Sequence, residues 1–277
     1  MTTRFAPSPT GLLHLGHAYA ARFAHDLARS APGGRFLLRF EDIDHTRCRP
    51  EFYDAIENDL RWLGLAWDGE PLRQSDRHAA HADALRQLQA LDIVYPCFCT
   101  RREIREEVAR MTNAPHGPEG PLYPGPCRRL PASERTRRLA RGEPHCWRLD
   151  VRRAALATGP LTFRDDRLGP FAVDPLLLGD VVLARKDVAT SYHLAVVVDD
   201  AHQAVTHVTR GEDLLPSTHI HRLLQSLLGL PEPRYHHHRL ITGPNGARLA
   251  TRNHALALAS LRQSGLAPNH VLARIPD

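Results

Sequence analysis

A chain of 277 residues with 42% hydrophobic and 24% charged residues has the make-up of one large or two small soluble globular domains. That balance excludes a disordered chain, a collagen and a coiled coil, and no apolar run approaches the ~20 residues of a membrane span. The formal charge is +5 with a pI of about 9.2, which favours a polyanionic partner without identifying one.

Residues 2–6 read as a short strand, broken by the tight loop Pro7-Ser8-Pro9-Thr10-Gly11. The spacing of Ala18, Ala21, Phe23 and Leu27 predicts a helix over 15–30. A second strand follows at Arg35–Phe40, after Pro32-Gly33-Gly34. Amphipathic helices are predicted over 51–63 and 79–91. Strand, helix, strand, helix at this spacing points to parallel α/β winding. Between 115 and 131 stand six prolines and three glycines, which predicts an irregular insertion. Residues 181–184 and 194–198 read as strands, and 217–228 as a helix opening after Pro216. Short helices are expected over 255–261 and 270–275. His236-His237-His238 is internal and therefore no expression tag.

The N-terminus lacks a basic patch followed by an apolar segment, so no signal peptide is expected. With five cysteines and no export signal, the chain reads as a reduced cytoplasmic protein whose thiols are available to a metal. Lys186 is the lone lysine among 36 basic residues, the rest being arginine, so an arginine can stand where a relative has lysine.

His14-Leu15-Gly16-His17 places two histidines three apart at a helix start. The backbone N–H groups and dipole of such an end attract phosphates. Gly16 lets a flat base or ribose lie close to the backbone. The motif does not stand alone. Together with Arg4-Phe5-Ala6-Pro7-Ser8-Pro9-Thr10-Gly11 and Arg39-Phe40-Glu41-Asp42-Ile43-Asp44 with Arg47, it resembles the class I glutamyl-tRNA synthetases. The likeness continues through Asp59-Leu60-Arg61-Trp62-Leu63-Gly64-Leu65 and Trp67-Asp68, then Ser191-Tyr192-His193-Leu194-Ala195 and Val198-Asp199-Asp200. It ends with Thr209-Arg210-Gly211-Glu212-Asp213-Leu214-Leu215, so most of the chain is covered in the right order.

The resemblance implies a Rossmann-type α/β catalytic core with an insertion and a short helical tail. The corresponding division is 1–95 and 188–245 for the two halves of the core, 96–187 for the insertion, and 246–277 for a second nucleotide loop and tail. It further implies that Arg4 and Arg210 bind the carboxylates of L-glutamate, as guanidinium geometry allows. Glu41 matches the residue that holds the ammonium group, Tyr192 a pocket tyrosine and Ser8 a polar contact, with Phe5, Ala6 and Pro7 alongside. Pro7, Thr10, Gly11, His14, Gly16 and His17 match the ATP site, and His14 and His17 would hold the phosphates as charge builds. Mg²⁺ is expected to accompany ATP, without an assignable protein ligand.

The sequence stops about 25 residues after its second nucleotide motif, with no long anticodon-binding region, and so resembles the truncated glutamyl-queuosine tRNA(Asp) synthetase family. Members of that family activate glutamate and transfer it to queuosine in the anticodon loop of tRNA(Asp). Cys97-Phe98-Cys99 and Tyr123-Pro124-Gly125-Pro126-Cys127 match its C-x-C…Y-x₃-C zinc site. Three thiolates need one more donor for a tetrahedral zinc, and Tyr123, His116, His145 and Cys146 all compete for that place. Cys48 and Cys146 are otherwise expected as small buried hydrophobes. A monomer with no membrane association is expected.

One signature departs from the family. The second nucleotide motif resembles K-L-S-K-R/Q, whereas the aligned run here is Gly246-Ala247-Arg248-Leu249-Ala250-Thr251-Arg252-Asn253. Arg248 replaces the first lysine, and Thr251 stands at the second. Losing one transition-state donor typically costs ~10²–10³ in rate. Three readings stand: Arg252 reaches the phosphates, activation is slow, or binding survives without activation.

Overall fold

A computed structural model describes residues 1–110, 116–118, 120–241 and 257–273. Strand β1 (Thr2–Phe5) leads to helix α1 (Leu15–Arg29), strand β2 (Arg35–Phe40), helix α2 (Pro50–Trp62) and strand β3 (Leu72–Arg73). The three strands pair in parallel in the order β1-β2-β3, with Arg4 opposite Leu37. This is the winding that the sequence predicts. Small side chains let α1 lie close on the sheet. Ala18, Ala21, Ala24 and Ala28 are buried with Tyr19, and the Thr3 hydroxyl donates to the Ala24 carbonyl at 2.7 Å. Phe23 and Leu27, which the sequence puts on this stripe, are only half-buried.

A 3₁₀ turn at Gln74–Arg77 enters α3 (His78–Ala90). Beyond it come β4 (Val94–Cys97), α4 (Arg101–Arg110), the hairpin β5 (His116–Gly117) and β6 (Gly120–Pro121), α5 (Ala132–Ala140), β7 (Cys146–Leu149) and α6 (Val151–Thr158). Among the described residues of 115–131 no regular element exceeds three residues, as its prolines require. Strands β8 (Thr162–Asp165), β9 (Gly169–Ala172) and β10 (Val182–Ala184) precede helix α7 (Tyr192–His202). The chain then runs through β11 (His207–Gly211), α8 (Leu215–Leu227), β12 (Arg234–His238), α9 (Leu258–Gln263) and α10 (Pro268–Leu272).

β4, β7 and β10 form an antiparallel sheet, whereas β11, β12 and β8 run parallel with β9 antiparallel at the edge. The first sheet meets this last one at β1. The Thr206 N–H donates to the Thr2 carbonyl at 3.0 Å, and the Thr2 N–H donates to the Thr206 hydroxyl at 2.8 Å. The larger buried clusters lie under α1, α2, α9 and α10 and among α3, α6, α7 and α8, with smaller ones around Cys97 and around Phe163.

Residues 194–198 are not a strand but the heart of α7. Leu194, Ala195, Val196 and Val197 are all buried, wedged between α3 and α8. A helix buried all round shows an unbroken apolar run and loses the 3.6-residue period that would mark it. The tail is helical as expected at α9 and α10, while 255–256 and 274–275 lie outside the described residues. The Leu258 N–H donates to the Leu13 carbonyl at 2.8 Å, so the tail is hydrogen-bonded directly to the entrance of α1.

Candidate active site

A cavity of about 740 Å³ opens at the carboxyl ends of β1, β11 and β12, where ligands of open α/β sheets bind. Arg4, Phe5, Ala6, Pro7 and Ser8 line it from β1 and the loop that follows. Thr10, Gly11, His14, Gly16 and His17 line it from that loop and the first turn of α1. Glu41 enters from the end of β2, Tyr192 from the start of α7, and Arg210 from β11. The structure therefore brings every described residue of the expected glutamate and ATP sets into one cavity. Arg248, Thr251 and Arg252 lie outside the described residues.

His14 caps α1. Its Nδ1 accepts the Gly16 N–H at 3.0 Å, and His17 Nδ1 accepts the His14 N–H at 3.3 Å. The two rings stack with centroids 3.8 Å apart. Because both Nδ1 atoms accept, both protons sit on Nε2. This is a capping box built from histidines, at the positive end of the helix dipole.

The side of the cavity around Arg4 is a network of charges. Arg4 Nε donates to Asp200 Oδ1 at 2.9 Å, its second nitrogen reaches Asp200 Oδ2 at 3.4 Å, and its third donates to the Thr209 carbonyl at 3.1 Å. Three of the five N–H groups are thereby used, leaving two. Arg39 is fully buried and also reaches Asp200, at 2.7 Å, and Glu41 at 3.5 Å. Burial alone would raise Asp200, but Arg4 and Arg39 outweigh it and hold its carboxyl below the usual range. Glu41 is pushed up by burial, against the pull of Arg39 and Arg4. An ammonium group placed against Glu41 would favour its ionised form.

Arg210 is 6% exposed and is held by neutral groups only. Its Nε donates to His237 Nε2 at 3.2 Å, one terminal nitrogen to Tyr192 Oη at 3.3 Å and His221 Nδ1 at 3.1 Å, and the other to Thr218 Oγ1 at 2.6 Å. No carboxylate among the described residues forms an ion pair with it. One N–H and the Tyr192 hydroxyl proton remain for a ligand. A buried cation without a counter-ion, in a cavity, is a receptor for an anion.

The histidines around Arg210 are kept neutral. Burial, then Arg210, lowers His193 and His237 to about 4, and burial with Arg210 takes His221 well below its usual value. His237 Nδ1 lies 2.7 Å from Asp165 Oδ2, so the proton there leaves Nε2 free to accept from Arg210. We read that contact as a hydrogen bond from a neutral ring rather than an ion pair, because the lowered pKa keeps the ring unprotonated. His221 accepts from Arg210 and donates through Nε2 to His193 Nδ1 at 3.2 Å. Asp165, Asp200, Thr218, His221 and His237 were given no role by sequence reasoning. The triple histidine at the end of β12 and the Asp199-Asp200 pair were the available signals.

A second cluster lies in the antiparallel part. Cys97 at the end of β4, Cys99, and Cys127 in the 3₁₀ turn Cys127–Arg129 bring three sulfurs within 4.8 Å of one another. The Cys97 thiol donates to Tyr123 Oη at 3.2 Å, and Cys99 Sγ is 3.6 Å from the same oxygen. Hydrogen bonds from Cys127, Cys146 and Cys99 draw the Cys97 thiol down. Gly125 turns this loop at φ +80°, and a Cβ there would meet the Arg128 guanidinium at 3.0 Å. The donor set of soft sulfurs plus one phenol fits a tetrahedral zinc. Among the rivals for the fourth place, His145 Nδ1 bonds the Glu143 carbonyl at 2.9 Å. Cys146 is buried opposite Cys97 in the β4–β7 register and stands outside the three-sulfur group. The side chain of His116 lies outside the described residues.

The model of the family "tRNA synthetases class I (E and Q), catalytic domain" matches residues 1–275. A glutamyl-Q tRNA(Asp) synthetase of Rhodobacter capsulatus is 51% identical over 274 residues, covering 97% of each chain. One of Symbiobacterium thermophilum is 45% identical over 282 residues, covering 98% of this chain and 84% of the relative. Among solved structures, the glutamate-tRNA synthetase of Elizabethkingia anophelis superposes with a TM-score of 0.77 at 31% identity. It covers 91% of this chain, which spans 53% of that longer protein.

Proposed function

Since the chain belongs to the class I tRNA synthetase family of the glutamate and glutamine (E and Q) branch, we propose that it activates L-glutamate with ATP and passes the glutamyl group to queuosine in the anticodon loop of tRNA(Asp). The observation that carries this reading is Arg210, a buried cation whose protein partners are all neutral, facing the same cavity as the capped start of α1.

In this reading Arg210 with Tyr192, and Arg4 with its two remaining N–H groups, take the carboxylates of glutamate, and Glu41 takes its ammonium group. A neutral amide in place of the side-chain carboxylate would leave a buried charge uncompensated, which disfavours glutamine. The substrate carboxylate then attacks the α-phosphorus of ATP, giving glutamyl-adenylate and pyrophosphate. His14 and His17 offer Nε2–H donors to the phosphates beside the N-terminus of α1. A hydroxyl of the queuosine cyclopentenediol attacks the activated carbonyl and releases AMP. No covalent enzyme intermediate is required, because positioning and electrostatics supply the rate. Mg²⁺ accompanies ATP. Cys97, Cys99, Tyr123 and Cys127 hold a structural zinc in this reading, which braces the insertion. The protein acts as a monomer in the cytoplasm. No helix among the described residues is long and apolar enough to cross a membrane.

One observation favours a second reading. Thr251 carries no charge where the family has a lysine, which suits a paralogue that binds glutamate or tRNA without making adenylate. Glutamate-dependent ATP–pyrophosphate exchange, without and then with tRNA, separates the two. Exchange with glutamate, and not with aspartate or glutamine, supports the enzyme. No exchange from folded protein supports the binding paralogue.

A further inference from the structure

A second cavity of about 390 Å³ is lined by Asp42, His45, Cys48, Tyr53, Asp54 and Arg73, among others. The chain end of β2 borders both cavities, Glu41 lining the first and Asp42 the second. Asp42 is buried and fully engaged. Its oxygens accept from the Tyr53 hydroxyl at 2.8 Å and from the Ser75 N–H and hydroxyl at 2.8 and 2.7 Å. It therefore builds the floor rather than binding a ligand. Above it the Arg73 guanidinium lies over the Tyr53 ring, 4.7 Å from the centroid. Asp54 lines the same cavity. Among the described residues, neither Asp54 nor the Arg73 guanidinium has a hydrogen-bond or ion-pair partner.

An acid and a base that share a cavity without pairing keep their polar edges available to something else. One face of Arg73 is covered by Tyr53, and the opposite face can carry a flat ring, as guanidinium and aromatic planes do for unstacked bases of RNA loops. A carboxylate accepts two parallel N–H groups, and the guanine-type edge, with its ring N1–H and 2-amino group, offers two side by side. We propose that this second cavity takes a guanine-type base of single-stranded RNA, stacked on Arg73 with its N1–H and 2-amino edge on Asp54. The inference rests on the proposed function. Queuosine is a guanine-type nucleoside whose accepting hydroxyl stands on a ring at the end of an aminomethyl arm. Its base must therefore sit beside the glutamate cavity rather than inside it, and the Glu41–Asp42 step gives that adjacency.

The test is direct binding of two fluorescent anticodon-loop hairpins, identical but for guanosine or adenosine at the accepting position, to the zinc-loaded full chain. The wild type is expected to bind the guanosine hairpin about tenfold or more tightly, the scale of a good bidentate base contact. Asp54→Asn, which turns one acceptor into a donor, should bring the ratio close to one. Arg73→Gln should weaken both hairpins alike by about tenfold, because stacking is tolerant of the base. Thermal melts report that each variant folds. A wild type without preference, or a preference that survives Asp54→Asn, overturns the assignment. Pyrophosphate exchange by the wild type is scored separately. A base preference without exchange defeats the enzymatic reading and leaves the cavity assignment standing.

Discussion

Replacing Arg210 probes the candidate site most directly. Four of its five N–H groups go to His237, Tyr192, His221 and Thr218, and the fifth faces the cavity. Arg210→Ala removes the charge that the proposed function sets opposite a buried substrate carboxylate. Breaking one side of a buried charged pair costs about 3–5 kcal/mol. At about 1.4 kcal/mol per decade, glutamate affinity should fall by roughly two to three and a half orders of magnitude. Arg210→Lys keeps the charge but has three donors where the arginine serves five directions, and a loss of about 1–3 kcal/mol, or roughly 5- to 140-fold, is expected. Calorimetric binding of glutamate gives the Kd, and pyrophosphate exchange gives KM. A second readout is independent of catalysis. Arg210 is, after burial, the next cause of the low values of His193 and His237, both about 4. In Arg210→Ala their ring protons should titrate at a higher pH, still below 6.5 because burial remains. Unchanged glutamate affinity together with unchanged histidine titration would refute the assignment.

If Cys97, Cys99, Tyr123 and Cys127 hold zinc as proposed, Cys127→Ser should carry less metal and melt at a lower temperature; metal analysis of the wild type that finds no zinc removes the metal assignment. Thr251→Lys is expected to speed glutamate-dependent exchange by roughly 10²–10³, the scale of one restored transition-state donor, whereas no change or a slower rate assigns the phosphates to Arg252. Asp59 on α2 is raised to about 6 by burial, with only Arg262 at 3.4 Å opposing it. Its folded value lies above its ordinary one, so the stability it contributes is full below about pH 4 and is lost as pH rises through about 6. Asp59→Asn should therefore be more stable than the wild type at pH 8, by up to about 3 kcal/mol, with the gap closing at pH 4. A gap independent of pH, measured by denaturant melts, would contradict this.

The first third of the fold was legible because its boundaries are written in proline and glycine. β2 has the expected limits of Arg35–Phe40, and α2 begins and ends within one residue of expectation. The run inside α7 was misread because burial on every side erased its period. β4, β7, β8 and β12, at four or five residues each, carried too few alternations to stand out. Within the candidate site, the residues proposed to meet a ligand lie in recognisable motifs, so Arg4, Glu41, Tyr192 and Arg210 could be named in advance and are found lining one cavity. Their supports could not. His237 holds Arg210 from 27 positions away, and Asp200 holds Arg4 from 196. Such partners are chosen by tertiary contact; the His236-His237-His238 run and the Asp199-Asp200 pair mark the places without saying which side chain each would meet.

The hydrogen bonds joining Thr2 to Thr206, and Arg4 to Asp200, span 204 and 196 positions. The candidate glutamate pocket consequently has no local precursor. On the ribosome, at roughly 5–20 residues per second, the first strand must wait on the order of ten to forty seconds for its neighbour to be made. Through that interval its edge is open and Arg4 has no counter-ion from α7. Loop closure on this scale makes late folding slow, and a nascent chain released before β11 would carry the whole capped entrance of α1 and yet have no affinity for the amino acid.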